Sequence, residues 1–408
     1  MITLKSNMDL FRIITIICGL FLICGFVVAD TQTMVIGGLL PLSGNASSIG
    51  PTYKASMELA VQDLNAKYTE LGLPYQVETR VYDTESDPMV AKKLGEEMIQ
   101  DGIHFIVGPI TSEEMLALED DATKSDTILI GFGSTTPGIS TQENTIVRLC
   151  PNDTVQALAL QGLFKKTNIT TVIPVVRDDI YGQNLYGLLA NLSEKGNFSL
   201  TEPIFYEPGF SSFNKTIETV TTTARTTEPM QGVGVLIIGF NEAADILKEA
   251  SQNTDLDTLS WFGTDGIALT EIIPKNQDIA EFAAKTNFTA TIYGELENEA
   301  PFKEYSKRLQ DAAGMKPNSY AIVIYDAVQL AAMTDLMSQG NLHKRAIFVD
   351  NANHFYGVSG YTSLTPTGDR KYANIDYWRI KENDGSYSWS KIGRYINQMI
   401  GPIIEMKK

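Results

Sequence analysis

The chain has 408 residues, 43% hydrophobic and 20% charged, with a formal net charge of −17. That composition is globular and too long for one ordinary core, so two α/β lobes are expected. The acidic balance leaves no basic stripe to meet phosphates, which excludes nucleic acid as a partner, and it suits a protein working outside the cell.

Lys5 and Arg12 precede an apolar run from Ile13 to Val28, and Val27-Val28-Ala29 offers a small-residue cleavage pattern. Residues 1–29 are therefore expected to be a secretory signal; the rival is a retained N-terminal anchor, for which the run is short of the ~20 residues of a membrane span. Cys18 and Cys24 lie in this run, leaving Cys150 alone in the mature chain, where buried filler is its expected role. N-x-S/T sequons at Asn45, Asn152, Asn168, Asn191, Asn197, Asn214 and Asn287 are glycan acceptors in an exported chain, or chance in one rich in Asn and Thr.

The mature sequence opens with a predicted strand, Met34 to Leu40, and a turn-rich loop from Pro41 to Pro51. A helix over Tyr53 to Tyr68, a strand over Gln76 to Tyr82 and a helix over Met89 to Gln100 follow from their apolar spacing. Ile103 to Val107 is a strand ending at Gly108-Pro109, the short turn Ile110-Thr111-Ser112 opens a helix that runs to about Lys124, and Thr127 to Ile130 is a strand ending in the small hydroxylated turn Gly131 to Pro137. Together these make a doubly wound first lobe.

Ile146 to Leu149 leads into Pro151-Asn152-Asp153, the first expected crossing. A second βα series has strands at Thr171 to Val176, Thr201 to Tyr206, Gly234 to Gly239 and Leu259 to Gly263, and helices at Gln156 to Lys166, Gln183 to Lys195, Asn214 to Thr223 and Glu242 to Ser251. Thr289 to Gly294 reads as a strand-like return crossing, and Pro301 to Ala313 and Ser319 to Ser338 as helices completing the first lobe. The pair Gly357 and Gly360 reads as a third crossing, since glycines permit sharp backbone changes. Asp376 to Ile380 and Trp389 to Ile392 form a final hairpin around Asn383-Asp384-Gly385. The expected division is 30–149 with 293–357 as lobe 1, and 150–292 with 358–408 as lobe 2.

In a parallel α/β sheet, loops at the carboxyl ends of strands bind small ligands. Thr111 and Ser112 fall at a helix start, where N–H groups and the helix dipole favour an anion. Thr111 with Glu114 also fits a capping box, and Ser112 would serve as a cap.

Several short stretches, in this order and spacing, resemble one family: Leu42-Ser43-Gly44, Val107-Gly108-Pro109, Gly133-Ser134-Thr135-Thr136-Pro137, Arg148 before Asn152-Asp153, Asp179-Ile180-Tyr181-Gly182, Phe262-Gly263-Thr264-Asp265-Gly266, Tyr325-Asp326-Ala327 and Gly357-Val358-Ser359-Gly360. The pattern is similar to the type I periplasmic-binding-protein fold, within it the leucine/isoleucine/valine-binding and amide-binding receptors of ABC importers. That resemblance implies two doubly wound parallel-sheet lobes joined by three hinge crossings, closing on one small ligand and delivering it to a membrane permease. It implies that Ser112 binds a ligand carboxylate and that Gly133, Ser134 and Thr135 supply the turn around it. Tyr181 would close from the second lobe, Asp265 pair with an ammonium, Phe240 line the pocket, and Gly357 and Gly360 act as hinges. The first loop carries Ile49 where the family often has an aromatic.

The chemistry of those residue types agrees. A zwitterion needs donors for its carboxylate, which hydroxyls and helix amides supply, and acceptors for its ammonium, which a carboxylate and a carbonyl supply. Enzyme readings are poor: His104, His343 and His354 have no metal spacing, and no G-x-S-x-G elbow or dinucleotide loop occurs. No cofactor or metal is expected. The expected function is an exported solute-binding protein for an amino acid, branched-chain or otherwise aliphatic. The alternatives are a ligand-sensing receptor domain of the same fold and an amide or urea binder.

Overall fold

The computed structural model describes residues 31–227, 231–294, 296, 299–338, 343–397 and 403–406. The expected signal or anchor at 1–29 lies outside the described residues. The first lobe is a five-stranded sheet of β1 (Gln32–Leu40), β2 (Tyr75–Asp83), β3 (Phe105–Val107), β4 (Ile128–Gly131) and β5 (Ile146–Arg148), in the order β2-β1-β3-β4-β5. Every pairing in it is parallel. In this order the chain reverses its winding between β1 and β3, and a crevice opens there at the carboxyl ends of the strands.

The second sheet repeats the scheme. Its strands are β6 (Thr171–Arg177), β7 (Ser199–Leu200), β8 (Ile204–Tyr206), β9 (Val233–Ile238), β10 (Ser260–Gly263) and β11 (Thr289–Tyr293). β7 and β8 lie on one side of β6, with β9, β10 and β11 on the other, all parallel. The second, first, third, fourth and fifth strands thus stand in the same order as in the first lobe. β9, VGVLII, is buried throughout, as a parallel strand covered on both faces must be.

After β11 the chain returns to the first lobe. The Ala300–Ala313 and Ser319–Ser338 helices pack on the Gly50–Glu70 helix, where Ser56 Oγ lies 2.8 Å from Tyr305 OH and donates to the Ala321 carbonyl at 2.6 Å. The Ser319–Ser338 helix is long and apolar enough to cross a membrane, yet 67% of its most apolar window is buried in the fold, so it serves as a core helix. A hairpin of β12 (Tyr356–Gly357) and β13 (Gly360–Tyr361) follows. β14 (Asn374–Asn383), β15 (Ser386–Ile396) and β16 (Ile403–Met406) then add antiparallel strands beside β11.

Four details depart from the sequence expectation. Of the stretch Thr201 to Tyr206 only Ile204–Tyr206 (β8) is strand, and β7 (Ser199–Leu200) lies before it. Thr289 to Gly294 is an interior strand of the second sheet, flanked by β10 and β14, before it is a connection. At Gly357 the chain turns on itself in a hairpin, and it joins the second sheet only at Asn374. The Gln277–Lys285 and Lys344–Asn353 helices and β16 were not anticipated. Among the sequons, Asn168, Asn191, Asn197, Asn214 and Asn287 are exposed, whereas Asn152 caps the Asp153–Lys166 helix by accepting from Thr154 N at 3.1 Å.

Candidate functional site

Each lobe offers the loops that follow its first, third and fourth strands. In the first lobe the loop after β3 is shaped by Gly108, at φ 96°; a side-chain carbon there would lie 2.2 Å from the Leu39 carbonyl oxygen. Thr111 then caps the Ser112–Lys124 helix. Its Oγ1 accepts from Glu114 N at 3.2 Å, and Glu114 Oε2 accepts from Thr111 N at 2.9 Å. The capping box therefore falls on Thr111, and Ser112 is the first helical residue, beside first-turn amides that no helical carbonyl can reach. Ser112 Oγ lies 3.3 Å from Ser134 Oγ and accepts from Thr136 N at 3.3 Å.

The turn after β4 is held from behind by Arg148. This fully buried guanidinium donates to the Ser134 carbonyl at 3.1 Å, to the Thr136 carbonyl at 2.6 Å and, through Nε, to Asp369 at 2.7 Å. The paired carboxylate is what makes burial of that charge tolerable. Thr135 is left facing the cleft, and its carbonyl accepts from Asp153 N at 2.8 Å.

In the second lobe Asp179 caps the Ile180–Ser193 helix, accepting from Gly182 N at 2.8 Å. Arg177 joins the loops after β6 and β9, donating to Asp179 at 2.6 Å and to Glu242 at 2.8 Å. Its guanidinium also lies 5.0 Å above the Phe240 ring. Tyr181 stacks on Phe240, ring centroids 5.3 Å apart and planes 18° from parallel. Burial and the nearby acids push the Tyr181 hydroxyl far above its ordinary range, so it stays a donor. It donates to Asp265 Oδ1 at 2.6 Å, and Tyr320, from the first lobe, donates to Asp265 Oδ2 at 2.7 Å. Gln156 supplies a third donor at 2.9 Å. A carboxylate offers about four lone-pair positions, so about one remains for a ligand.

Ser112, Gly133, Thr135, Tyr181, Phe240 and Asp265 line one cavity between the lobes, with about 530 Å³ of empty volume counting the part open to solvent. The rest of the wall includes Ala46, Ile49, Ile110 and Ala268, which are apolar, and Tyr53, Asn318 and Tyr320. Ser134 is not among the wall residues; it is buried behind Ser112. Gly357 and Gly360 face each other across the β12–β13 hairpin, away from the cavity wall. A side-chain carbon on Gly357 would lie 2.1 Å from Asp326 Oδ1. Sequence reasoning missed Tyr53, Asn318, Tyr320 and Gln156, because Tyr53 and Tyr320 sit in helical patterns that read as core. Among the described residues, no group of three or more His, Cys, Asp or Glu is placed to hold a metal.

Comparison with known proteins gives a consistent set of relatives. The family profile described as the receptor family ligand binding region matches residues 53–383. An uncharacterised protein of Methanocaldococcus jannaschii is 25% identical, covering 88% of each chain. The Leu/Ile/Val-binding protein homolog 2 of Brucella abortus is 26% identical over 91% of this chain and 96% of its own. Among solved structures, the leucine binding protein LivK of Thermotoga maritima superposes with a TM-score of 0.74 at 19% identity, covering 88% of this chain and 97% of that one. A solute binding protein of Rhodopseudomonas palustris, in complex with 4-hydroxybenzoate, superposes with a TM-score of 0.75 at 15% identity, covering 90% and 98%.

Proposed function

We propose, for a chain that belongs to the receptor family of ligand-binding regions and has the type I periplasmic-binding-protein fold of the leucine/isoleucine/valine-binding proteins, that it captures a small aliphatic amino acid by hinge closure and hands it to an ABC-importer permease. We place it outside the cytoplasm, exported by residues 1–29. In this reading the lobes are 30–149 with 293–357 and 150–292 with 358–408, and Gly357 and Gly360 belong to the third hinge connection.

The carrying observation is that hydroxyls of one lobe and a carboxylate of the other line the same cavity. Ser112 and Thr135, with the first-turn amides of the Ser112–Lys124 helix, grip the ligand carboxylate. Asp265 and the Gly133 carbonyl grip its ammonium, and Tyr181 with Phe240 closes over it. Ile49, Ile110 and Ala268 receive an aliphatic side chain. Ser134 braces Ser112 instead of touching the ligand. An aromatic acid without an ammonium is disfavoured, since it would leave the buried Asp265 carboxylate without a cation.

A thermal-shift screen over amino acids, amides, urea and aromatic carboxylates tests this. Leucine, isoleucine or valine at about a hundred times Kd should stabilise the protein by ~2.7 kcal/mol. Asp265→Ala should abolish that response while the protein stays folded. A response confined to compounds without an amine would reject the reading.

A further inference from the structure

We propose that Gln156, backed by Asp153 and Thr291, is the positioning residue that aims the Asp265 carboxylate into the cavity and ties it to the carboxylate-gripping turn of the opposite lobe. This deepens the proposed function and rests on it for the identity of the ligand groups.

In the Gln156 carboxamide every hydrogen-bonding position is used. Nε2 donates to Asp153 Oδ1 at 3.0 Å and to Asp265 Oδ1 at 2.9 Å. Oε1 accepts from Asp265 N at 3.1 Å and from Thr291 Oγ1 at 2.8 Å. An amide has two donor hydrogens and two acceptor lone pairs, so the set is complete. Rotating the amide by half a turn would set its oxygen against the Asp265 carboxylate and its NH₂ against the Asp265 N–H. Only one orientation is therefore stable, and Gln156 grips both the backbone and the side chain of Asp265.

Asp153 extends the grip to the other lobe. It opens the Asp153–Lys166 helix at the first crossing, and its N–H donates to the Thr135 carbonyl at 2.8 Å. One oxygen of Asp153 is buried without a partner. Burial first, and the neighbouring Asp265 charge second, push its ionisation well above the ordinary carboxylate range. Thr135, Asp153, Gln156 and Asp265 thus form one chain of hydrogen bonds from the acidic grip to the basic grip, behind the cavity wall.

Two near-isosteric substitutions separate positioning from packing. Gln156→Met keeps the length and removes every hydrogen bond; Thr291→Val removes only the bond that orients Oε1. The readouts are the direction of Asp265 in ligand-free crystal structures and leucine affinity by calorimetry. In Gln156→Met the carboxylate should leave its bonds to Tyr181 and Tyr320, and leucine affinity should fall at least ~10-fold, the worth of one charge-assisted hydrogen bond. Thr291→Val should weaken leucine binding several-fold, and it decides the matter if Gln156→Met does not fold. Folded variants with Asp265 in its present direction and leucine affinity within twofold of the parent overturn the proposal. If the parent protein binds no amino acid, the functional reading fails on its own, and the direction of Asp265 in the variants still decides this inference.

Discussion

Asp326 shows what one buried acid does in this fold. It is fully buried in the Ser319–Ser338 helix and accepts from Val358 N and Ser359 N, both at 2.9 Å, so it fixes the β12–β13 hairpin to the first lobe. Burial raises its ionisation from an ordinary 3.8 to about 6, against the opposing pull of the Ser359 hydroxyl, the backbone amides and Arg370. An acid whose folded value is raised binds its proton more tightly when folded. Its contribution is therefore fully present below pH ~4 and is lost as pH rises through about 6, by about 3 kcal/mol at 1.36 kcal/mol per pH unit. Asp326→Asn should lack this dependence, so the parent's advantage over the variant, read by urea denaturation, should shrink by up to that amount between pH 4 and pH 7. A constant difference across the range would contradict the assignment. At the same scale, the helix start at Thr111-Ser112 was legible as a place where free N–H groups gather, but which of the two hydroxyls does the capping was not. Only the geometry shows that Thr111 takes the capping and leaves Ser112 to the cavity. Tyr320 was illegible for a different reason: a tyrosine in an apolar helix carries no sign of whether its hydroxyl meets solvent, core or a carboxylate.

At the scale of elements, the loops of the site are held by buried ion pairs that no single stretch of sequence reveals. Arg148 belongs to β5, its carboxylate partner Asp369 lies 221 residues on, and the carbonyls it holds are in the turn after β4. Removing one partner of such a pair strands the other charge. Arg148→Met should cost about 3–5 kcal/mol of stability, and adding Asp369→Asn should recover part of it, because the double variant no longer buries a lone carboxylate. Denaturation midpoints of the two single variants and the double one measure this coupling; strict additivity would mean that the pair does not act as a unit. Most elements were readable, since Gly50–Glu70 carries apolar residues at helical spacing, Ser319–Ser338 is apolar along most of its length and β9 is one apolar run. Those that were not share a physical cause. β7 and β8 have two and three residues, too short for a pattern, and the strand character of β11 was visible without its place inside a sheet, which depends on partners distant in sequence.

For the whole molecule, the repeat of one winding order in both sheets explains why the site lies where it does. Two crevices, each at a reversal of winding, face each other, and the cavity is the space between them. The two-lobed plan was legible from the succession of βα units, while the contacts across the cleft join residues distant in sequence. Hydrogen bonds are among them. Tyr320 OH donates to Asp265 at 2.7 Å, and Asn241 N donates to the Asn45 carbonyl at 3.2 Å. Because the Tyr320 bond ends on a carboxylate, it is worth ~1.5–3 kcal/mol, enough to move an open–closed equilibrium by ~10–100-fold. Tyr320→Phe keeps the ring and deletes that bond. Ligand-free protein should then show a larger radius of gyration in solution scattering, and a saturating amino acid ligand should return it to the parent value. The dissociation constant should rise by a comparable factor, since the ligand must now supply the closing energy that the tyrosine supplied. An unchanged ligand-free radius together with an unchanged dissociation constant would mean that the closed form does not depend on this bond, and that closure rests on the aromatic stack and the ligand alone.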